Sequence, residues 1–303
     1  MTNPIPVEIY LSSTVFRQHE NGQFNFLNLV LSVLKDAEIP TTVLRKEPGF
    51  DFGLEQQTAR SLVYMTAPLD ERGLTFRKTY IAPFWRIETQ AKRWKFDVAR
   101  SEFETPQDVV ETNRFFNAWR KRLFSECDFE QPRQGTVYVP LQGVLRDRRS
   151  FQSCSPIEML KTVLATDTNR DVVATLHPKE KYDDADQHAL AQLMAHYPRL
   201  QVEMGNMQEN LMRCDYVVTQ NSSAGLMGYF FHKPLVLFGK SDFHHIALNV
   251  DDMGARAAIK AAPDHRPDFA AYVYWFLQQR SISAGRPDAK SAIRRRFVEH
   301  GWI

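Results

Sequence analysis

Two short segments in the C-terminal half combine residue types that can hold an anion. One is Leu176-His177-Pro178-Lys179; the other is Thr219-Gln220-Asn221-Ser222-Ser223-Ala224-Gly225. The second follows the apolar run Tyr216-Val217-Val218 and precedes a helical stretch. It therefore reads as a strand ending in a small polar loop that opens a helix. Backbone N–H groups gather at such a helix start, where the dipole is positive, and phosphate oxygens suit them. Ser222 and Ser223 add hydroxyls, Gln220 and Asn221 add amides, and Ala224 and Gly225 leave room for a phosphate to approach. His177 ends another β-rich run, Val172 to Leu176, and Pro178 fixes the backbone at its tip. An imidazole there can donate a hydrogen bond to a phosphate that gains charge as it leaves. Lys179 adds positive charge nearby. Each segment also has a plain structural reading: serine and asparagine cap ordinary helices, and a histidine can simply close a loop.

A third segment, Leu141-Gln142-Gly143-Val144-Leu145-Arg146-Asp147, follows the strand-like Thr136 to Leu141. Gln142 can hydrogen-bond a sugar or a base. Asp147 is the best-placed carboxylate for a base or nucleophile, and Arg146 can pair with it or with a phosphate. A fourth, Gly239-Lys240-Ser241-Asp242-Phe243-His244-His245, follows Pro234 to Gly239 and offers Lys240 and His245 as substrate contacts. Adjacent histidines on a loop seldom face one ion, and no Cys/His/carboxylate set has zinc spacing, so no metal is expected. Neither a Walker loop nor a Gly-x-Gly-x-x-Gly fingerprint after a strand is present. In the N-terminal half, Arg86 and Glu88 sit among large aromatics. They suit a sugar acceptor, or a structural ion pair in a core. Ser13 lies in the polar turn after the first strand and could line the same cleft from the acceptor side.

These residues need a scaffold that brings strand ends together. Strand-like runs at Val7–Leu11, Thr41–Leu44 and Ser61–Met65 surround a helix over Phe24–Ala37, the order of a parallel sheet. An aromatic and charged middle follows, with a helix over Val109–Phe124. The turn-rich Asp128 to Gly135 reads as a linker. A second alternation then runs from Thr136 to Gly239, with helices over 156–165, 185–197, 207–213 and 226–231 and strands over 172–176, 200–203, 216–219 and 234–239. A late helix is expected over Asp268–Gln279. The fold class is α/β with a GT-B-like plan: two parallel-sheet, Rossmann-like domains facing a cleft. The division expected is residues 1–130 for the acceptor side and 131–265 for the nucleotide-sugar side. Helices in 266–303 would pack back on the N-terminal domain. The 303 residues, 43% hydrophobic and 24% charged with net charge +2, suit a soluble globular protein with no general drive toward nucleic acid. Three cysteines without metal spacing fit a reducing compartment. The start carries no signal-peptide pattern and no stretch approaches a membrane span. A cytoplasmic protein is expected, peripheral at the inner membrane if Arg294-Arg295-Arg296 with Phe297 and Trp302 touches a bilayer.

The sequence resembles the capsule polysaccharide biosynthesis proteins of the Kdo-transferase type. The likeness rests on Pro140-Leu141-Gln142 with Asp147, on His177-Pro178, and on Thr219 to Gly225 followed by Lys233-Pro234-Leu235-Val236, and covers about residues 136–250. It implies a GT-B glycosyltransferase that moves a sugar such as Kdo from a CMP-activated donor to a glycan or glycolipid, without cofactor or metal. Carried over, His177, Ser222 and Ser223 contact the donor phosphate and Asp147 takes the carboxylate role. Two other readings share the same scaffold: a CDP-polyol phosphotransferase of the teichoic-acid type, and a non-catalytic protein of GT-B shape.

Overall fold

The computed structural model describes residues 4–46 and 58–303. The chain divides into two compact units, Met1–Ser101 with Phe276–Ile303, and Glu102–Trp275. The first unit opens with β1 (Val7–Ser12), α1 (Ser13–Glu20), α2 (Asn25–Asp36), β2 (Thr41–Lys46) and β3 (Arg60–Tyr64). It continues through β4 (Leu74–Lys78), β5 (Phe84–Glu88) and α3 (Asp97–Arg100). The second unit carries α4 (Val109–Leu123), β6 (Thr136–Pro140), α5 (Pro156–Thr166), β7 (Asp171–Leu176), α6 (Asp184–His196), β8 (Leu200–Met204) and α7 (Met207–Arg213). It ends with β9 (Tyr216–Thr219), α8 (Ser223–Phe230), β10 (Leu235–Leu237), β11 (Leu248–Asn249), α9 (Val250–Met253), α10 (Ala255–Ala261) and α11 (Phe269–Val273). The chain then returns to the first unit as β12 (Ile282–Ser283) and α12 (Ala289–Glu299).

The first sheet has the order β12-β5-β4-β3-β1-β2. Strands β1 to β4 pair in parallel, while β5 runs antiparallel to both β4 and β12. Helix α2 buries Phe26, Leu27, Val30, Val33 and Leu34, a stripe with the helical repeat, onto this sheet. Phe26 stacks on Trp85 of β5 at 4.6 Å between ring centres. Strands β4 and β5 escape the sequence reading because their alternation is masked by Arg77, Lys78, Arg86 and Glu88, the last two being buried.

The second sheet, β11-β10-β9-β6-β7-β8, is parallel throughout. Its strands read as nearly continuous apolar runs because both faces are covered. Helix α5 starts with the capping box Ser155–Glu158 and a proline in its first turn, the strongest local helix signal in the chain.

The boundary between units differs from the expected linker at 128–135. It falls after Ser101, and α4 belongs with the second unit. The reason is aromatic packing: Phe116 of α4 stacks on Phe230 at 5.6 Å and on His232 at 5.3 Å. Phe124 packs on Phe231 at 4.7 Å and Phe129 on the same ring at 5.1 Å. The division 1–130, 131–265, 266–303 is redrawn accordingly, with α11 in the second unit and only the segment from Phe276 in the first. The basic C-terminal segment is corrected too. Phe297 and Trp302 are buried and stacked on each other at 5.3 Å, so these aromatics are core rather than a bilayer contact. No helix among the described residues is long and apolar enough to cross a membrane.

The α4 assignment has a direct consequence. Phe116→Ala removes a 2 %-exposed ring and is expected to cost about 3–5 kcal/mol in denaturant unfolding. Val110→Ala on the same helix, at a side chain 81 % exposed, should stay within about 0.5 kcal/mol.

Candidate functional site

The second unit's sheet grows in two directions from β6. Strands β7 and β8 follow on one side, and β9, β10 and β11 on the other. In open parallel sheets such a reversal leaves a crevice at the carboxyl ends of the two central strands, and ligands bind there. Here those ends are Pro140 on β6 and Thr219 on β9. They are tied together: Thr219 Oγ1 donates to the Pro140 carbonyl at 3.0 Å. On the other side the Leu141 amide donates to the Thr175 carbonyl at 2.8 Å. His177 follows β7 and Ser222 follows β9, so both lie at this edge with β6 between them, about 10 Å apart by strand spacing.

His177 is exposed. Its Nδ1 accepts the Lys179 backbone N–H at 3.2 Å, and its own amide donates to the Tyr182 hydroxyl at 2.8 Å. A backbone N–H can only donate, so Nδ1 is the acceptor nitrogen and the neutral ring carries its proton on Nε2. That nitrogen is the available donor. Gly143 lies close by: a Cβ there would stand 2.6 Å from Glu180 Oε2, so the loop after β6 approaches the Glu180 side chain of the loop after β7 closely.

Gln142 is half-buried and its Oε1 is buried without a hydrogen-bond partner. Asp147 is exposed on the same loop. Arg146 bonds neither Asp147 nor an open site. Its Nη2 pairs with Asp183 at 2.9 Å and its Nε with Asp186 at 3.1 Å, the acids at the start of α6. Those bonds anchor the loop and hold its Arg146 away from the anion role the sequence suggested.

At the start of α8, the Ser222 hydroxyl accepts the Ala224 amide at 3.3 Å, a helix cap. Ser223 is exposed. Asn221 Nδ2 donates to the Lys240 carbonyl at 3.1 Å, which joins this loop to the one after β10. Gln220 is 1 % exposed; its Nε2 donates to the Cys154 carbonyl at 3.0 Å, and its Oε1 is buried without a partner. Gly225 is a correction. It is buried, and a Cβ there would meet both Leu235 methyls at 3.0 Å, so it serves helix–strand packing and not phosphate approach. Lys240 is exposed, with its amide bonded to the Phe151 carbonyl at 2.8 Å. His245 is half-buried, its Nδ1 2.9 Å from the Tyr272 hydroxyl and its ring 4.2 Å from that of His244. Among the described residues no group of three or more His, Cys, Asp or Glu could hold a metal ion.

Sequence reasoning missed two residues of this edge, Arg149 and Gln152. Gln152 bridges to Gly239, where a Cβ would stand 2.8 Å from the Gln220 carbonyl. Gln152 Oε1 also accepts the Arg149 amide at 2.7 Å. The pair of arginines after Asp147 was the available signal.

In the first unit, Ser13 begins α1 directly after β1 and is half-buried. Arg86 and Glu88 share one face of β5 and are both buried. Arg86 donates to the Phe276 carbonyl at 3.1 Å and to the Arg280 carbonyl, with its guanidinium 4.6 Å from the Phe276 ring centre. Glu88 accepts the Asp97 amide at 3.1 Å. Arg296 of α12 pairs with Asp97 at 2.5 Å and with the Ile87 carbonyl at 2.8 Å. Together they line a cavity of about 170 Å³. These bonds fasten the returning C-terminal segment to β5 and α3, which is structural work. Burial first, then the Asp97 carboxylate, push the Glu88 carboxyl up to about 7, against the pull of Arg86 and Arg296.

Two Rossmann-like units, one with a topological switch point beside β6, define the GT-B class. The chain belongs to the capsule polysaccharide biosynthesis protein family, whose model matches residues 118–284, more than half of its length. Two solved structures share the fold, both from Thermosulfurimonas dismutans KpsC. Its β-Kdo 2,7 transferase is 13% identical, with 81% of this chain and 83% of that chain covered and a TM-score of 0.51. Its β-Kdo 2,4 transferase is 14% identical, with 89% and 90% covered and a TM-score of 0.50. No curated protein matches the chain in sequence.

The Glu88 carboxyl makes stability pH-dependent. Folding raises its pKa from 4.5 to about 7, so the fold favours the protonated form. That contribution is whole below pH 4.5 and is lost as pH rises through about 7. Glu88→Gln keeps an oxygen for the Asp97 amide and cannot ionise. It is expected to be more stable than the wild type at pH 8 by about 1–3 kcal/mol, with the difference vanishing near pH 4.5. Denaturant melts of both proteins across pH 4.5–8 measure it.

Proposed function

We propose that this protein is a glycosyltransferase of surface polysaccharide synthesis that moves a Kdo-like sugar from a CMP-activated donor to a glycan or glycolipid acceptor. The observation that carries the reading is the convergence of His177, Ser222 and Gln142 on one carboxyl edge at the switch point of the second sheet. The family and the two Kdo-transferase folds support it.

In this reading the second unit holds the donor. The protonated Nε2 of His177 donates to the CMP phosphate as the bond to the anomeric carbon breaks and the phosphate takes the electron pair. The Ser223 hydroxyl, the positive end of the α8 dipole and the Lys240 and Lys179 ammonium groups share that growing charge. With these donors in place the departure needs no metal. Asp147 supplies the carboxylate for the reacting carbon or for the acceptor hydroxyl. Gln142, Gln220, Asn221 and His245 surround the nucleotide and sugar. Ser13 is the acceptor-side residue of the first unit. The work belongs on the cytoplasmic side of the inner membrane.

The test is a ligand panel of CMP-Kdo, CMP-sialic acid, CDP-glycerol and UDP-sugars. A CMP-sugar at one hundred times its dissociation constant should stabilise the wild type by about 2.7 kcal/mol. His177→Ala should lower the rate of sugar transfer by about 100-fold or more while the protein stays folded. Stabilisation by UDP-sugars alone sinks the CMP reading. CDP-glycerol as the only effective ligand makes the protein a polyol phosphotransferase, and no effect of any nucleotide favours a scaffold.

A further inference from the structure

Arg149 lies in the loop that leaves β6, two residues beyond Asp147. This loop is held firmly. Arg148 Nε donates to the Gln152 carbonyl at 2.7 Å, and the Ser153 amide donates to the Phe238 carbonyl at 2.8 Å. The Lys240 amide returns a bond to Phe151, and Gln152 bridges to Gly239. The Arg149 guanidinium stands 5.0 Å from the Phe151 ring centre. Its Nε and Nη2 are nevertheless buried with no hydrogen-bond partner. Glu180 is the acid whose charge reaches it, yet no ion pair joins the two among the described residues.

Nε and Nη2 form one edge of the planar guanidinium. That edge presents two parallel N–H groups, the fork that receives two oxygens of a carboxylate or phosphate. Folded proteins seldom leave buried polar groups unpaired, and a charged fork less than any. Nor is Arg149 alone. Gln142 Oε1, Gln152 Nε2 and Gln220 Oε1 are also buried without partners, and all four residues belong to the loops that leave β6 and β9. One charged donor edge, one amide donor and two carbonyl acceptors thus belong to the loops at the carboxyl ends of β6 and β9. Gln152 and Gln220 are 2 % and 1 % exposed.

We propose that Arg149 is the anion clamp of this crevice, taking two oxygens of the ligand's phosphate or carboxylate on its Nε–Nη2 edge, while Gln142 and Gln220 accept hydrogen bonds from the ligand's hydroxyl or amino groups. The inference deepens the nucleotide-sugar reading and rests on it for the ligand's identity, but not for its charge.

The experiment titrates wild type, Arg149→Ala and Arg149→Lys with CMP, cytidine, CMP-Kdo and inorganic pyrophosphate by calorimetry. Arg149→Ala should weaken CMP by about 10- to 100-fold, the range for a charge-assisted pair of hydrogen bonds, and leave cytidine unchanged. Arg149→Lys, which keeps the charge without the fork and guards against a misfolded alanine variant, should recover only part. If the clamp takes the sugar's carboxylate, CMP is unchanged and CMP-Kdo falls by that factor. Equal affinity of wild type and both variants for CMP and CMP-Kdo overturns the clamp and leaves the nucleotide reading standing. An equal loss for cytidine also overturns it. Pyrophosphate binding that Arg149→Ala abolishes, in a protein that ignores CMP, keeps the clamp and removes the nucleotide reading. A wild type that binds none of the four overturns both.

Discussion

The reversal of the second sheet beside β6 is the constraint on which the site depends. From β6 the chain steps to β7 in one direction, and from β9 it steps to β10 in the other. Right-handed crossovers then send α5 and α8 to opposite faces of the sheet. Neither helix can cover the gap between the carboxyl ends of β6 and β9, so only loops reach it. The strand ends themselves are fixed by bonds across the ladder: Thr219 to the Pro140 carbonyl, Leu141 to Thr175, Phe238 to Thr219. A rigid frame lets a few loop residues act at defined positions. The stitching of the loop at Phe151–Ser153 onto Phe238–Lys240 extends that rigidity outward. Gly239 is required because a side chain there would strike the Gln220 carbonyl.

Much of this was legible in the sequence, and where it was not, the cause is physical. Strands buried on both faces announce themselves as apolar runs, so β6, β7, β9 and β10 were found within a residue or two. Helix α5 carried its capping box in plain view. Strands β4 and β5 did not, because Arg86 and Glu88 are polar residues buried by partners nearly two hundred positions away or on the next turn of chain. No local pattern reports a bond to Phe276. The unit boundary failed for the same reason: the rings of α4 are aromatic at any boundary, and only the position of Phe230 and Phe231 decides which core they join. Within the candidate site, the sequence could place His177 and Ser222 at strand ends but could not say that Arg146 would turn to Asp183 and Asp186. Two adjacent arginine-rich positions look alike until their partners are known.

Partners are also what separate the two polar clusters of this molecule. In the first unit, Arg86 and Glu88 are buried and Asp97 and Arg296 half-buried; their bonds run to carbonyls, amides and one another, with Arg86 Nε left over. A cluster that spends its donors internally holds chain segments in register, and charge alone does not make it a binding site. In the second unit more is left unmatched. Gln142, Arg149, Gln152 and Gln220 sit in loops just as firmly bonded through their backbones, yet each keeps a buried polar atom unmatched. Leaving such groups unpaired is costly, by about 1–3 kcal/mol for each, and four of them fall in the loops at the carboxyl ends of β6 and β9, which is the basis of the clamp proposed for Arg149. The unmatched set contains both donors and acceptors with one fixed positive edge. A ligand that satisfies it must therefore be anionic at one end and carry hydroxyl or amino groups at the other. A nucleotide or an acidic sugar has that pattern, whereas an apolar ligand or a bare cation does not.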